Sequence, residues 1–132
     1  MSGSLILDSN ALIALFDGNE TVAAALRSAG KVFVPAVVHG ELMAGCQGAT
    51  RREVRTRELH ERLLSKPLVS ILPTTKTTGD FYGRVFAFLR SRGTPIPTND
   101  IWIAAAALET GAAICTNDAH LLSLPLINAM GF

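Results

Sequence analysis

The sequence predicts an α/β fold built on a parallel sheet with helices on both faces. Three observations carry the prediction. Short apolar runs alternate with longer Ala- and Leu-rich runs of helical character, the pattern of consecutive βαβ units. Glycine or proline punctuates the ends of many of these runs. One helical run, Asn99 to Glu109, is apolar on most of its sides, as buried helices are.

Leu5-Ile6-Leu7 reads as a short buried strand. Asp8-Ser9-Asn10 follows without a break, and Ala11 to Phe16 is too apolar for a loop and reads as a helix. Asp17 to Glu20 is a turn. Thr21 to Ala29 is an Ala-rich helix with Gly30 at its C′ position. Lys31 to Val34 is a second strand, and Pro35 opens a helix, a favoured place for proline. That helix carries Val37, Val38, Leu42 and Met43 with Glu41 among them, and Gly45 and Gly48 end it. Arg51 to Lys66 is a strongly charged helix with a sparse apolar face of Leu59, Leu63 and Leu64, stopped by Pro67. Val69 to Leu72 is a third strand. Thr77 to Arg92 is a long helix closed by Gly93, and Pro95 to Thr98 is an extended connector. After the apolar helix, Ala112 to Thr116 is a fourth strand and Ile127 to Ala129 a short fifth.

The chain of 132 residues is the size of one ordinary domain, so residues 1–132 are read as one unit. Hydrophobic residues make up 48%, which argues against disorder. No apolar run approaches the ~20 residues that span a bilayer. No basic n-region precedes Leu5 and no signal-peptide pattern follows. Cys46 and Cys115 sit in apolar segments without a CxxC spacing, as reduced buried thiols do. The expected location is the cytoplasm.

Four of the 11 acidic residues stand in otherwise apolar surroundings. Asp8 follows the first strand and Asp118 the fourth. Glu41 and Asp100 lie near the N-termini of helices. In a parallel sheet, strand C-termini and the helix N-termini after them share one edge, where such folds build their sites. Taken singly, each Asp is more often an N-cap and Glu41 more often a solvated helix residue. Taken together, clustered acids in apolar surroundings are costly unless cations neutralise them. Hard carboxylate oxygens suit Mg²⁺ or Mn²⁺. Such a site activates water for phosphodiester hydrolysis.

The residues resemble the PIN-domain ribonucleases of the VapC toxin type. Four stretches carry the resemblance: LILDSNALIALF at the start, VPAVVHGELMAG near residue 40, PIPTNDIWIAAAAL near residue 100 and TNDAHL near residue 118. They occur in the family's order and approximate spacing, and the resemblance extends over essentially the whole chain. The resemblance implies a PIN-like three-layer fold with about five parallel strands. It implies an acidic pocket for Mg²⁺ or Mn²⁺ in which Asp8, Glu41 and Asp100 bind the metal. Asp118 would hold a second metal or orient the attacking water. Ser9 stands where the family more often has Thr, and the hydroxyl role is expected to survive. Asn10 would steady the Asp8 loop, and Thr116 would hydrogen-bond near the metal. The implied function is endoribonuclease toxin of a type II toxin–antitoxin pair, acting on RNA. The implied partners are a second copy in a homodimer and a small VapB-like antitoxin. Its tail would pack on the helices around residues 37–66 and push a basic side chain into the pocket.

Setting aside the four pocket acids leaves seven acidic against 12 basic residues. An acidic hole in a basic surface is what a metal-dependent nuclease needs. Six of the basic residues fall between Arg51 and Lys66. Among them Arg51, Arg52, Arg55 and Arg62 are candidates for RNA or antitoxin contact. The alternative is a solvated helix with Glu53–Arg57 and Glu58–Arg62 pairs at i,i+4. His39, His60 and His120 make no metal-ligand pattern and are expected on the surface or in packing, although His39 and His120 lie close to Glu41 and Asp118. Trp102 and the six phenylalanines are expected in the core. Two rival functions are phosphoryl transfer through an aspartyl phosphate on Asp8 and a non-catalytic PIN-like binding module. The first wants a second Asp two residues on, where this chain has Asn10, and a lysine beside a site motif.

Overall fold

Residues 3–132 are described by a computed structural model; Met1 and Ser2, the start of the N-terminal stretch considered above, lie outside the described residues. Five strands form one parallel sheet: β1 (Ser4–Leu7), β2 (Lys31–Pro35), β3 (Val69–Leu72), β4 (Ala113–Cys115) and β5 (Ala129–Met130). Their order across the sheet is β3-β2-β1-β4-β5. The chain therefore builds outward from β1 on one side, then crosses back and builds outward on the other. The crossing point lies between β1 and β4, with Leu7 opposite Cys115. Folds of this kind bind ligands in the crevice beyond the strand C-termini at that switch point.

The helices are α1 (Ser9–Phe16), α2 (Glu20–Ser28), α3 (Ala36–Ala44), α4 (Arg51–Leu64), α5 (Lys76–Arg92), α6 (Thr98–Thr110) and α7 (Ala119–Leu122). Several boundaries move from the sequence expectation. Helix α1 starts at Ser9 rather than Ala11, because Asp8 is its N-cap and accepts a hydrogen bond from the Ser9 N–H. Pro35 ends β2 rather than opening α3, pairing with Leu72 of β3. Thr98 belongs to α6 rather than to the connector, and Asp100 then falls in its first turn. Strand β5 sits at Ala129–Met130, two residues beyond the expected start. The short α7 was unforeseen; four residues are too few to show a helical period.

The core is continuous on both sides of β1. Ile6, Leu7, Leu12, Val34, Val38, Ile103 and Ile114 are fully or almost fully buried. Helix α6 buries Ala104, Ala105, Ala106 and Ala107, so its backbone lies close to its neighbours on nearly every side. It pairs with α5 through Tyr82 against Trp102, ring centroids 4.3 Å apart, and through the Thr78 hydroxyl donating to Glu109 Oε1 at 2.7 Å. Gly93 and Gly111, at φ 65° and 73°, end α5 and α6 in the left-handed region that glycine adopts without strain. Only Phe16 of the six phenylalanines is buried, and Phe86 is 46% exposed. Both cysteines are free and buried, as expected.

Helix α4 corrects a second expectation. Neither Glu53–Arg57 nor Glu58–Arg62 forms an ion pair within 4 Å among the described residues. Glu53 instead closes a capping box with Thr50 and accepts from the Gly48 N–H at 2.7 Å. Arg57 donates to the carbonyls of Cys46 and Gly48. His60 is fully buried, stacked on His39 with 2.9 Å between His39 Nδ1 and His60 Nε2. Burial, and next the neighbouring His39, hold its pKa below the usual histidine value.

The close approach of α6 gives a packing prediction. Ala104→Leu adds three carbons where no space exists and should destabilise the fold by roughly 1–3 kcal/mol. Urea unfolding reads this directly; a wild-type midpoint would mean α6 is not held against its neighbours as described.

Candidate metal centre

The site grows from the first bonds that β1 and β4 make past their ends. The Asp8 N–H continues the ladder by donating to the Cys115 carbonyl at 3.2 Å. This brings the side chains of Asp8 and Thr116 together across the switch point. The Thr116 hydroxyl donates to Asp8 Oδ2 at 2.7 Å, and Thr116 is fully buried. Asn10 Nδ2 lies 3.3 Å from the same Oδ2 and 3.3 Å from Thr116 Oγ1. Asn10 Oδ1 accepts from the Asn117 N–H at 3.1 Å, so one side chain ties the loops after β1 and β4. Asn117 in turn exchanges two hydrogen bonds with Phe132, which fastens the C-terminus to the same edge. Asp8 Oδ1 accepts from the Ser9 N–H at 2.8 Å. Ser9 thus supports Asp8 through its backbone; its hydroxyl makes no hydrogen bond among the described residues.

Asp118 is the N-cap of α7: its Oδ1 accepts from the His120 N–H at 2.8 Å, and its own N–H donates to Thr116 Oγ1 at 3.0 Å. Asp100 reaches the same place from the first turn of α6. His120 joins the two, with Nδ1 3.2 Å from Asp118 Oδ1 and 3.4 Å from Asp100 Oδ2. One ligand atom from each of Asp100, Asp118 and His120 lies within 4.8 Å of the others, close enough to share one ion. Sequence reasoning placed His120 on the surface or in packing, because a lone histidine two residues past an Asp carries no ligand spacing. The signal that finds it is the tight turn into α7, which folds its ring back over the Asp118 carboxylate.

Glu41 sits at the margin. Its Oε2 accepts from Asn99 Nδ2 at 3.2 Å, which ties α3 to the start of α6. Its Oε1 is buried without a hydrogen-bond partner. A buried acceptor left open is costly unless something fills it. Together with the acidic cluster, that orphaned oxygen fits a cation. Beside Glu41 a cavity of about 490 Å³ opens between α1, α3 and α4, lined among others by Asn10, Ile13, Glu41, Leu42 and Arg52.

The electrostatics of the edge are those of crowded acids. Burial, then the charges of Asp118 and Asp8, push the Asp100 carboxyl up to about 6; Glu41 adds to the effect and His120 opposes it. Burial raises Asp8 too, with Asp118 adding, against the lowering effect of its bonds from Thr116, Ser9 and Asn10. None of the candidate arginines pairs with Asp8, Glu41, Asp100 or Asp118 among the described residues, although Arg52 lines the cavity beside Glu41. Arg52 and Arg55 pair with Asp17 at 3.1 and 3.6 Å, and Arg55 also donates to the Phe16 carbonyl at 2.5 Å. Those contacts fix α4 to the end of α1. Arg51 and Arg62 are exposed.

Comparison with known proteins gives one family and several relatives. The family profile described as "PIN domain" matches residues 5–125. Ribonuclease VapC1 of Haemophilus influenzae strain R2866 is 26% identical over 117 residues, which span 86% of this chain and 85% of the relative. The DNA-bound VapBC of Salmonella typhimurium superposes with a TM-score of 0.81 at 20% identity, covering 99% of this chain and 98% of the other, a likeness of fold. FitAcB of Neisseria gonorrhoeae superposes with a TM-score of 0.76 at 25% identity, covering 96% of each chain.

The raised Asp100 pKa sets a stability prediction. A carboxyl that moves from 3.8 to about 6 on folding loses stability as pH rises through that interval, by up to about 3 kcal/mol above pH 6. With divalent cations chelated, Asp100→Asn should therefore raise stability by roughly 1–2 kcal/mol at pH 7.5. The gain should shrink toward pH 4, where wild-type Asp100 is itself neutral. Chemical unfolding across that pH range checks it, and a gain that ignores pH would rule out charge as the cause.

Proposed function

Because the chain belongs to the PIN-domain family, we propose that it is a divalent-metal-dependent endoribonuclease that hydrolyses RNA phosphodiester bonds, the toxin of a VapBC-type toxin–antitoxin pair. The observation that carries the reading is the meeting of Asp100, Asp118 and His120 beside Asp8 at the switch point, with Glu41 Oε1 buried and unpartnered nearby. Asp8, Glu41, Asp100 and Asp118 would hold Mg²⁺ or Mn²⁺, and the imidazole of His120 in the same cluster favours Mn²⁺. When bound, the cation would make water more acidic and polarise a phosphoryl oxygen.

The chain's own residues supply the rest. Thr116 and Asn10 fix the Asp8 carboxylate in one orientation. Asp118 Oδ2 makes no hydrogen bond among the described residues, so that carboxylate can accept a proton from the attacking water. In the reaction the water oxygen bonds to phosphorus. The ester bond opposite it breaks, and the leaving ribose oxygen takes up a proton. Asp100 must be ionised for the pocket to act. Where the cation is limiting, metal and proton compete for Asp100, so cleavage should rise with pH as that carboxyl ionises.

Aspartyl phosphoryl transfer is disfavoured by geometry. Both Asp8 oxygens already accept hydrogen bonds, and no lysine neutralises the site. Lys31 lies over Phe33, Lys76 pairs with Asp80, and Lys66 follows α4. We assign the cavity between α1, α3 and α4 to an antitoxin segment, with Arg52 in its lining and Arg51, Arg55 and Arg62 as candidate contacts on the same helix. A homodimer in the cytoplasm is the expected setting; no helix among the described residues is long and apolar enough to cross a membrane.

Asp8→Asn and Asp100→Asn should each abolish cleavage of total RNA in Mn²⁺ and relieve growth arrest on expression. Chelation should do the same in vitro. Cleavage at wild-type rate in either variant would sink the mechanism. For wild type, raising Mn²⁺ should move the acid limb of the pH–rate profile below 6, since metal and proton compete for Asp100.

A further inference from the structure

We infer that α5 carries the track along which single-stranded RNA runs to the metal centre, with Arg84, Arg90 and Arg92 as its contacts. The inference rests on the nuclease reading above and deepens it. Between Asp80 and Asp100 the chain has no acidic residue and three arginines. All three are exposed, and none forms an ion pair among the described residues. This separates them from Arg27, Arg52 and Arg55, each paired with an acid, and from Arg57, bonded to carbonyls.

Arg51 and Arg62 are likewise exposed and unpaired but lie over no ring among the described residues, whereas each of these three lies over an aromatic ring of its own helix: Arg84 over Phe81 at 4.9 Å, Arg90 over Phe86 at 5.7 Å and Arg92 over Phe88 at 4.6 Å. Helical spacing puts Phe81, Arg84, Phe88 and Arg92 on one stripe and Phe86 and Arg90 on another. The ridge between them carries only Gly83, Ala87 and Ser91, so a strand meets no bulk there. A guanidinium on a ring holds a phosphate while the flat faces beside it accept bases. Arg84 and Arg92 are about 12 Å apart along the helix, the span of roughly three phosphates.

The end of α5 lies beside the start of α6. Helix α5 runs into the short connector that starts α6, where Asp100 sits. A mainly apolar cavity of about 260 Å³ is lined by Phe86, Arg90, Pro95, Ile96 and Ile101, and Ile101 is the residue after Asp100. Residues 81–99 contain no acid, so a polyanion meets no like charge from that stretch.

The test separates this inference from the enzyme reading by measuring binding without cleavage. In the Asp8→Asn background, affinity for a fluorescent single-stranded RNA is followed against salt. Replacing Arg84, Arg90 and Arg92 by Gln should lower the slope of log K on log salt by about 2 and weaken binding at least tenfold at moderate salt. Replacing Arg27, Lys31 and Lys66 by Gln removes the same charge off α5 and should change little. Arg→Lys at the three positions should keep the slope and lose affinity, since the flat stack is gone. An unchanged slope in the Gln variant, or an equal loss in the control, overturns the track and leaves the face to a protein partner. Wild-type protein that cleaves no RNA overturns the enzyme reading, and the slope still decides the track.

Discussion

Carboxylates that repel one another are brought to one edge of the sheet, and much of the local structure exists to hold them there. Asp8 cannot swing away, because Thr116 and Asn10 grip one oxygen and the Ser9 N–H the other. Asp118 is bound into the cap of α7. Asp100 is fixed by a helix whose alanines leave no room for it to shift. The strain of this arrangement shows in the Asp100 carboxyl, whose pKa lies well above that of a free aspartate. A fold selected only for stability would place apolar groups here.

Strand order makes the convergence possible. Because β4 pairs with β1 rather than with β3, two loops far apart in sequence become neighbours at the switch point. The hydrogen bond from Thr116 to Asp8 spans 108 residues of chain and is the shortest statement of that topology. The Asn99–Glu41 contact does the same for α6 and α3. The four acids come from four segments, and no two of them need be near in sequence for the pocket to close.

What the sequence made legible follows from what it encodes locally. Alternating runs and their punctuation gave the strands and helices, and an Asp directly after a buried strand has only one edge of a parallel sheet to occupy. Asp8 and Asp118 are therefore readable from connectivity. Their dual nature is not: each is an N-cap in the fold and also stands among the crowded acids of that edge, so the capping role leaves the proposed metal role open. His120 was illegible because its place depends on a turn of four residues. The arginines of α4 looked like a free basic face. In the fold two of them tie α4 to Asp17 and a third to the α3–α4 loop, because a helix with so few apolar residues needs polar anchors to dock. Those partners are 35 or more residues away for Arg52 and Arg55, beyond any local pattern.

The charge balance of the pocket argues for a cation on grounds independent of the family. Around Asp100 stand the carboxylates of Asp8, Glu41 and Asp118, and the one group that can carry positive charge among them is His120. An imidazolium neutralises at most one negative charge. At separations of a few ångströms, even well-screened charges interact by about 1 kcal/mol or more per pair, so the remaining carboxylates stay mutually repulsive. Protonation relieves this at low pH, but near neutrality the carboxyl with a pKa of about 6 is largely ionised. A divalent ion removes the repulsion without a proton, and it leaves coordination positions for a phosphate that a protonated pocket does not. The same crowding that weakens the empty fold thus favours binding of the ion that the proposed chemistry calls for.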